Sequence, residues 1–296
     1  MPFRSAALPH LGEMANDRAG QGWRILPDSR AVFCHTDQRV DFLGWVMSQF
    51  VLVHGAWAGG WCWRRVSTLL SSAGHEAHAV TLTGVGERAH LLSPSISLRT
   101  HIDDVLGLIA AEELDDLVLV GHSYGGMVIT GVADALLRRG QGELLRQLVY
   151  IDAVTPHPGE SWSSQHAPQT VAARVEAARQ RPDQAIPPPD AEVFGLEGPD
   201  RDWVNRRQTP QPLGVYQDPL DFDAEALAGL ERLFIDCTEP ALPTIAVMRQ
   251  RVRAEPGWQV VELPTGHHPM VSAPRELVEI LLGMDSLEPE TVDEAG

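Results

Sequence analysis

"LVLVGHSYGGMVIT", Leu117 to Thr130, places a serine between two glycines at the point where the local pattern changes. Leu117 to Val120 is a continuous aliphatic run, which is typical of a fully buried strand in a parallel sheet. After Ser123, apolar residues recur every three to four positions, which predicts a helix running to about Arg139. Ser123 therefore lies on a tight turn from strand to helix, where flanking side chains would collide and glycine is needed. Such a turn presents the hydroxyl as a nucleophile.

A second glycine-rich stretch, "QFVLVHGAWAGGWCW" (Gln49 to Trp63), also passes from a strand towards a helix. Phe50 to Val53 reads as the strand, and the helix is expected to start near Gly60. A serine hydrolase needs two backbone N–H donors for the developing oxyanion, one after the nucleophile and one from a loop after an earlier strand. Ala56 and Tyr124 are the predicted donors.

The third informative stretch is "WQVVELPTGHHPMVSAPREL", in which Trp258 to Leu263 alternates as a strand. A histidine on a loop after a late strand is where the general base of a serine hydrolase is expected in this chain order. His267 is preferred because it follows Gly266 on the turn, whereas His268 precedes a proline. No carboxylate or cysteine lies at ligand spacing from the two histidines, so no metal site is expected.

Four motifs, "VLVHGAWAGGWCW", "TLTGVGERAHL", "GHSYGGMVITGVAD" and "TGHHPMV", together resemble the α/β-hydrolase superfamily. The branch they resemble contains plant methylesterases, hydroxynitrile lyases and bacterial esterases such as pyrethroid and carbendazim hydrolases, with the carbendazim type most similar. The resemblance covers about Met47 to Met284. It implies an α/β class fold, with a mostly parallel sheet flanked by helices and a helical cap. It also implies a serine esterase without a cofactor, using Ser123, His267, Ala56 and Tyr124 in the roles given above.

The third member of the triad departs from the family pattern. Plant-type members carry an aspartate after the strand that here reads "RLFIDCTEPALP", and Pro240 occupies the matching position. Glu239 is the nearest carboxylate on that loop and can orient a histidine as an aspartate does. Asp152, at the end of the strand after the nucleophile helix, is the alternative, and it could instead only anchor its loop. Glu239 is ranked slightly ahead of Asp152, and Asp236 is expected to lie within the strand.

The expected function is hydrolysis of small, largely apolar carboxylic esters through an acyl-enzyme, with carbamate esters of the carbendazim type as an alternative. A hydroxynitrile lyase of this branch would carry a lysine after the catalytic histidine and a threonine in the oxyanion loop. This chain has His268 and Ala56 there, and all 23 of its basic residues are arginines. A ligand-binding homologue with weak catalysis is the other alternative, which the unmatched acid position favours.

The chain organisation follows from composition. Residues 1–46 show no sustained period and are expected to be a poorly structured extension, with Met47 as a candidate translational start. Residues 47–284 form the predicted hydrolase domain, and residues 285–296 an acidic, solvated tail. A proline-rich insertion at about 155–231, with helical pieces at Val171 to Arg179 and Ala224 to Leu230, is the predicted cap. Its aromatic residues are candidates to line the substrate pocket: Trp162, Phe194, Trp203 and Tyr216.

Composition limits the partners. At 296 residues the chain is long enough for one α/β domain, and a formal net charge of -17 opposes binding to nucleic acid or anionic membranes. The sequence contains no apolar run of membrane-spanning length and no signal-peptide pattern. Three cysteines cannot all pair, which favours a reduced, cytoplasmic protein. The expected partner is a small ester, and a homodimer is left open.

Overall fold

The computed structural model describes residues 47–283, and its centre is a six-stranded sheet in which every strand pairing is parallel. The strand order is β10-β9-β4-β3-β1-β2. These strands are β1 (Gln49–Val53), β2 (Glu76–Val80), β3 (Leu117–His122), β4 (Leu145–Ile151), β9 (Glu231–Cys237) and β10 (Trp258–Leu263). The predictions for residues 1–46 and 284–296 lie outside the described residues.

Ten α-helices follow the chain within residues 47–283, and most of the long ones cover the sheet. They are α1 (Arg64–Ser72), α2 (Leu98–Ala111), α3 (Gly125–Arg138), α4 (Pro168–Arg179), α5 (Gly198–Asn205), α6 (Leu213–Gln217), α7 (Ala224–Ala228), α8 (Ala246–Ala254), α9 (Pro269–Ser272) and α10 (Pro274–Gly283). No helix in this part of the chain has the length and apolar character to cross a membrane.

The side-chain alternation of β3 explains why its sequence is apolar throughout. Leu117 and Leu119 enter one core together with residues of α2 and α3, while Val118 and Val120 enter a second core with residues of α1 and α10. Successive residues of a strand point to opposite faces, so a strand covered by helices on both faces must be apolar at every position. The buried strand predicted from Leu117 is thereby confirmed, and it extends to His122.

The strand–helix alternation is interrupted between β4 and β9, as the sequence predicts. This segment holds α4 to α7 and two short antiparallel pairs, β5 (Glu160–Ser161) with β8 (Pro219–Leu220) and β6 (Ala185–Ile186) with β7 (Gln211–Pro212). The predicted helix at Val171 to Arg179 corresponds to α4, and the one at Ala224 to Leu230 corresponds to the shorter α7. The insertion therefore has more regular structure than its prolines indicate.

Two local expectations need adjustment. The helix expected from Gly60 starts as a 3-10 turn (Gly60–Trp63), and the α-helix begins only at Arg64. The helix expected around Pro274 is α10, which is preceded by the separate short helix α9 on the histidine loop.

Candidate active site

Ser123 sits between the end of β3 and the start of α3, with its backbone in the left-handed region at φ 53°. A serine adopts this conformation only when its surroundings enforce it, because its Cβ crowds the backbone. The surroundings here are backbone hydrogen bonds: the Ser123 N–H donates to the carbonyl of Ile151 at 3.2 Å, and its own carbonyl accepts from Val154 at 3.0 Å. The neighbouring strand β4 and the residues after it thus fix the turn.

The glycines around Ser123 are required by close approach. A Cβ on Gly121 would lie 2.7 Å from the carbonyl oxygen of Gly125, and a Cβ on Gly125 would lie 2.7 Å from the carbonyl oxygen of Val53. A Cβ on Gly55 would lie 2.9 Å from the Cβ of Ser123. The loop after β1 therefore approaches the serine closely, in agreement with the steric interpretation of the motif.

His267 lies on the loop after β10 and is bonded to the carboxylate of Asp152. Nδ1 of the ring donates to Oδ2 of Asp152 at 2.6 Å, and both side chains are buried. Asp152 directly follows β4, and its N–H donates to the carbonyl of Ile235 in β9 at 2.8 Å. A buried carboxylate at Nδ1 fixes the tautomer that leaves Nε2 free to accept a proton.

The preference for Glu239 over Asp152 does not fit this geometry, because Asp152 already takes the Nδ1–H of His267. Glu239 is exposed, and its backbone N–H donates to the carbonyl of Thr265. Asp236 lies within β9 as expected, but its carboxylate is paired with Arg249 and Arg253. The acid therefore meets the histidine from the end of β4.

Arg249, on α8, holds the second oxygen of Asp152. Its Nη2 donates to Oδ1 of Asp152 at 2.6 Å, its Nη1 donates to the carbonyl of Leu242 at 2.7 Å, and its Nε contacts Asp236. The guanidinium side chain is only 12% exposed. A buried carboxylate is stable when its charge is paired and its lone pairs are filled, and Arg249 supplies both conditions.

Two further histidines pack around His267. Nε2 of His122 lies 2.7 Å from the carbonyl oxygen of His267, in position to donate to it, and the two rings are 4.7 Å apart. His268 packs against His122 and Phe194. Burial lowers the pKa of His268 to about 3 and lowers that of His122 well below the usual range. Both rings therefore remain neutral near pH 7 and help to hold the loop of His267.

The two predicted oxyanion donors belong to the two chain segments that meet at Ser123. Tyr124 is the residue just before α3, and Ala56 belongs to the loop after β1 that approaches Ser123 through Gly55. Within residues 47–283, neither backbone N–H has a hydrogen-bond partner, whereas the next N–H, that of Trp57, donates to the side chain of Gln211. Free N–H groups at a helix N-terminus attract developing negative charge.

Ser123 and His267 line the same small cavity, whose volume is about 30 Å³. Trp162 and Phe194, two of the four predicted lining residues, contribute to its wall. Tyr216 is not part of the wall and packs behind it, with its ring 4.8 Å from that of Trp162. Trp203 is likewise not part of the wall of this cavity, and it packs on Trp61 at 5.0 Å and under Arg207.

Sequence reasoning missed several residues of the cavity wall. Trp57 has a positive φ of 63° and directly follows the predicted donor Ala56, so its position was a usable signal. The others come from the segment just after β4, from the insertion and from the loop after β9, where no sequence period points inward; they are Val154, Gln165, His166, Arg174, Leu242, Thr244 and Ile245. Residues 47–283 contain no group of three His, Cys, Asp or Glu side chains placed to hold a metal ion.

Comparison with known proteins agrees with this geometry. A family model described as the alpha/beta hydrolase family matches residues 50–280. A carbendazim hydrolyzing esterase from Nocardioides sp. (strain SG-4G) is 44% identical over 248 residues, which cover 80% of this chain and 100% of that esterase. A pyrethroid hydrolase from Sphingobium wenxiniae is 29% identical over 260 residues, which cover 79% of this chain and 86% of that enzyme.

Among solved structures, an extracellular α/β-hydrolase from a Paenibacillus species has the same chain path. Its TM-score is 0.71 at 20% sequence identity, and the match covers 79% of this chain and 98% of that one. At this identity the similarity concerns the fold alone.

Proposed function

Since the chain belongs to the α/β-hydrolase family, we propose that this ester hydrolase attacks its substrates with the hydroxyl of Ser123. The family match and the similarity to enzymes named as esterases confirm the fold and the reaction class expected from the sequence. One observation supports the residue roles most directly. Ser123, on its left-handed turn, lines the same cavity as His267, which is bonded to the buried carboxylate of Asp152.

In the proposed mechanism, Nε2 of His267 accepts the proton of Ser123 as its oxygen attacks the ester carbonyl. Asp152 keeps the ring oriented and stabilises the imidazolium that forms. The N–H groups of Ala56 and Tyr124 donate to the oxyanion, and one such donor contributes about 3 kcal/mol to the transition state. His267 then returns its proton to the leaving alcohol, and water repeats the sequence to release the acid.

The proposed substrates are small esters with a largely apolar body. The apolar half of the cavity wall supports this, and it is formed by Trp57, Val154, Trp162, Phe194, Leu242 and Ile245. Apolar walls with a few polar groups are typical of small-molecule sites. A carbamate ester is the second candidate, and the 44% identity to a carbendazim hydrolyzing esterase favours it.

We also propose a cytoplasmic location. Cys62 and Cys237 support it, because both are free thiols buried in the structure, and burial raises the pKa of each. Buried thiols of this kind are inert and suit a reducing compartment. Cys34 lies outside the described residues.

The proposal is tested with p-nitrophenyl esters and three variants. We expect Ser123→Ala to lose at least about 10⁴-fold in kcat, because removal of a triad nucleophile leaves only binding and oxyanion stabilisation. Asp152→Asn should lose about 10⁴-fold by leaving His267 in the wrong tautomer. Glu239→Gln should stay within about threefold of the parent, because this side chain is exposed and Nδ1 of His267 is already bonded to Asp152.

The matched control is Ser95→Ala, which removes an exposed hydroxyl outside the cavity wall. A fluorophosphonate probe should label the parent and Ser95→Ala but not Ser123→Ala, since it reacts only with an activated serine. If Ser123→Ala were still labelled and still hydrolysed the ester, Ser123 would not be the nucleophile. If Glu239→Gln lost more of kcat than Asp152→Asn did, Glu239 and not Asp152 would be the acid of the triad.

A further inference from the structure

The catalytic cavity contains a cation that the proposed mechanism does not use. Arg174, on α4, lines the cavity together with Ser123 and His267. Its guanidinium lies over three aromatic rings, at 5.4 Å from Trp57, 5.4 Å from Trp162 and 5.3 Å from Tyr216. Ring faces stabilise a guanidinium through their quadrupoles, but they carry no net negative charge.

Arg174 has no carboxylate partner within residues 47–283. Other arginines of the insertion do pair, as Arg181 does with Asp183 and Arg201 with Asp190. Arg179, Arg206 and Arg207 of the insertion also lack a carboxylate partner in this part of the chain, but they do not line the cavity, whereas Arg174 does. Its unneutralised charge is directed to the cavity that holds the proposed nucleophile.

Among the described residues, the side chain of Arg174 meets only the neutral polar groups of His166 and Tyr216, so most of its hydrogen-bond donors remain available. Its Nη1 donates to Nε2 of His166 at 3.1 Å. Burial first, and then the charge of Arg174, lowers the pKa of His166 to about 4, so this ring stays neutral and can accept the bond. A guanidinium has five N–H donors arranged to bind a carboxylate in a bidentate manner. The cation therefore has the charge and the geometry to bind an anionic group.

We propose that Arg174 forms an anion subsite and that preferred substrates are esters carrying a carboxylate at the end of a short apolar chain. This rests on the proposed function, in which Ser123 cleaves the ester. The apolar chain would contact the rings of the wall, and the carboxylate would replace the missing acidic partner of Arg174. The proposal thus adds one negative charge to the otherwise apolar substrate inferred above.

The size of the cavity is consistent with a movable Arg174. The cavity is narrow, with about 30 Å³ of space for the centre of a water-sized sphere, so the room for a longer ester depends on the side chains that line it. Arg174 comes from a helix in which only Ala178 is buried, and one hydrogen bond and three ring faces hold it. An arriving carboxylate can therefore draw this side chain with it as the ester binds.

The test compares matched ester pairs that differ only in the terminal group. Mono-p-nitrophenyl adipate, pimelate and suberate carry a carboxylate where p-nitrophenyl hexanoate, heptanoate and octanoate carry a methyl group. We expect the parent to hydrolyse at least one half-ester as efficiently as its neutral partner. Arg174→Met should lower the ratio of kcat/KM, half-ester to neutral ester, by about tenfold, mainly through KM, because a charge-assisted hydrogen bond is lost. Arg174→Lys should give an intermediate ratio.

Arg179→Met is the matched control, because it removes the same charge from an exposed position of the same helix. Its ratio should stay within about twofold of the parent. An unchanged ratio in Arg174→Met, or equal changes in Arg174→Met and Arg179→Met, would overturn the subsite. So would a parent that disfavours every half-ester more than tenfold. If the parent hydrolysed the neutral esters no faster than Ser123→Ala does, the proposed function itself would be refuted.

Calorimetry supplies a second measurement if Arg174→Met is too weak an enzyme. Binding of mono-p-nitrophenyl suberate is measured in Ser123→Ala and in Ser123→Ala/Arg174→Met, neither of which turns the ester over. A Kd at least about fivefold weaker in the double variant, with no such difference for p-nitrophenyl octanoate, supports the subsite. Equal Kd values for the half-ester overturn it.

Discussion

Single residues form the candidate active site, and the charge chain behind His267 is built from three of them, Asp152, Arg249 and Asp236. Asp152 accepts from His267 through one oxygen and from Arg249 through the other, and Arg249 also contacts Asp236. Every member of this chain is buried or nearly so. A buried charge that loses its partner is costly because water does not reach it. Arg249 is therefore as important to the position of Asp152 as the backbone is.

Replacing Arg249 with methionine tests this role. We expect a loss of about 3–5 kcal/mol in the free energy of unfolding, the usual result of leaving a buried charge unpaired. A lower kcat should accompany it, because Asp152 is then no longer held against His267. Urea unfolding followed by circular dichroism measures the first effect, and hydrolysis of a p-nitrophenyl ester measures the second.

Arg253→Met is the control for Arg249→Met. Arg253 is on the same helix and also pairs with Asp236, but it is 39% exposed and makes no bond to Asp152. Its replacement should cost no more than about 1 kcal/mol and leave kcat nearly unchanged. Equal losses in the two variants would show that pairing with Asp236, and not with Asp152, is what matters.

At this scale, the sequence predicted the residues that local patterns mark and missed those that tertiary contacts bring in. Ser123 lies in a strand–glycine–helix pattern, and His267 lies on a late turn, so the sequence alone marks both as candidates. The sequence could not decide whether Asp152 or Glu239 meets His267, because both carboxylates follow strands of the same sheet. Only the order of the strands places Asp152 beside His267. Arg174 gives no signal, because its neighbours on α4 are mostly exposed.

At the scale of elements, α3 packs closely on the chain that follows β4, and the contact is made at Gly126 near the start of the helix. A Cβ at position 126 would lie 2.1 Å from the carbonyl oxygen of Val154 and 3.1 Å from the Cβ of Ala153. Because a backbone carbonyl cannot move aside without shifting β4, Gly126→Ala should destabilise the protein by about 1–3 kcal/mol. It should also lower activity, since the same backbone carries Asp152. Thermal unfolding and ester hydrolysis provide the measurements.

Gly107→Ala gives the opposite expectation in another helix. A Cβ at this exposed position of α2 would meet nothing within 4 Å. Alanine has the higher helix propensity, so the substitution should stabilise the protein by about 0.5–1 kcal/mol. Should both substitutions stabilise, the contact between α3 and the chain after β4 would be less tight than described.

Among the elements, strands with an apolar run or a clear alternation were predictable, whether buried like β3 or half-exposed like β10, and β2 was not. The strand at Phe50 to Val53 and the strand beginning at Leu117 are aliphatic throughout, because helices cover both faces of the sheet there. β2 lies at the sheet edge, is mostly half-buried, and reads "EAHAV", so it has neither an apolar run nor a clear alternation. In the insertion, α5 and α6 are short and interrupted by prolines and glycines, so sequence period indicates them poorly.

The molecule as a whole contains several histidines that folding buries in the neutral form. Burial lowers the pKa of His54 and His101 to about 4 and that of His268 to about 3, and it lowers that of His122 strongly. In the unfolded chain these groups have pKa values near 6.5. Below about pH 6.5 the unfolded state therefore binds protons that the folded state does not, and stability is lost as the pH falls.

The expected size of this effect is large. Each such histidine contributes a slope of up to about 1.4 kcal/mol per pH unit, so four together approach about 5 kcal/mol per unit between pH 6 and 4. A domain with about 5–15 kcal/mol of stability should unfold within that range. Urea unfolding at a series of pH values from 7.5 to 4.5 measures the slope. His268→Phe should lower this slope by up to about 1.4 kcal/mol per pH unit, because one proton fewer is bound on unfolding. A constant free energy of unfolding down to pH 4.5 would contradict the prediction.

The side chains of the loop between β9 and α8 are free to change, because the carboxylate bonded to His267 comes from Asp152 and not from this loop. Asp152 reaches His267 from the end of β4, and within the described chain the loop supplies no side chain to Nδ1 of that ring. Leu242, Thr244 and Ile245 of the loop instead form part of the cavity wall. Selection can therefore alter these three side chains to suit a new acyl or alcohol group while the residues proposed to transfer the proton stay in place. This separation makes the loop the natural starting point for changing which ester is cleaved.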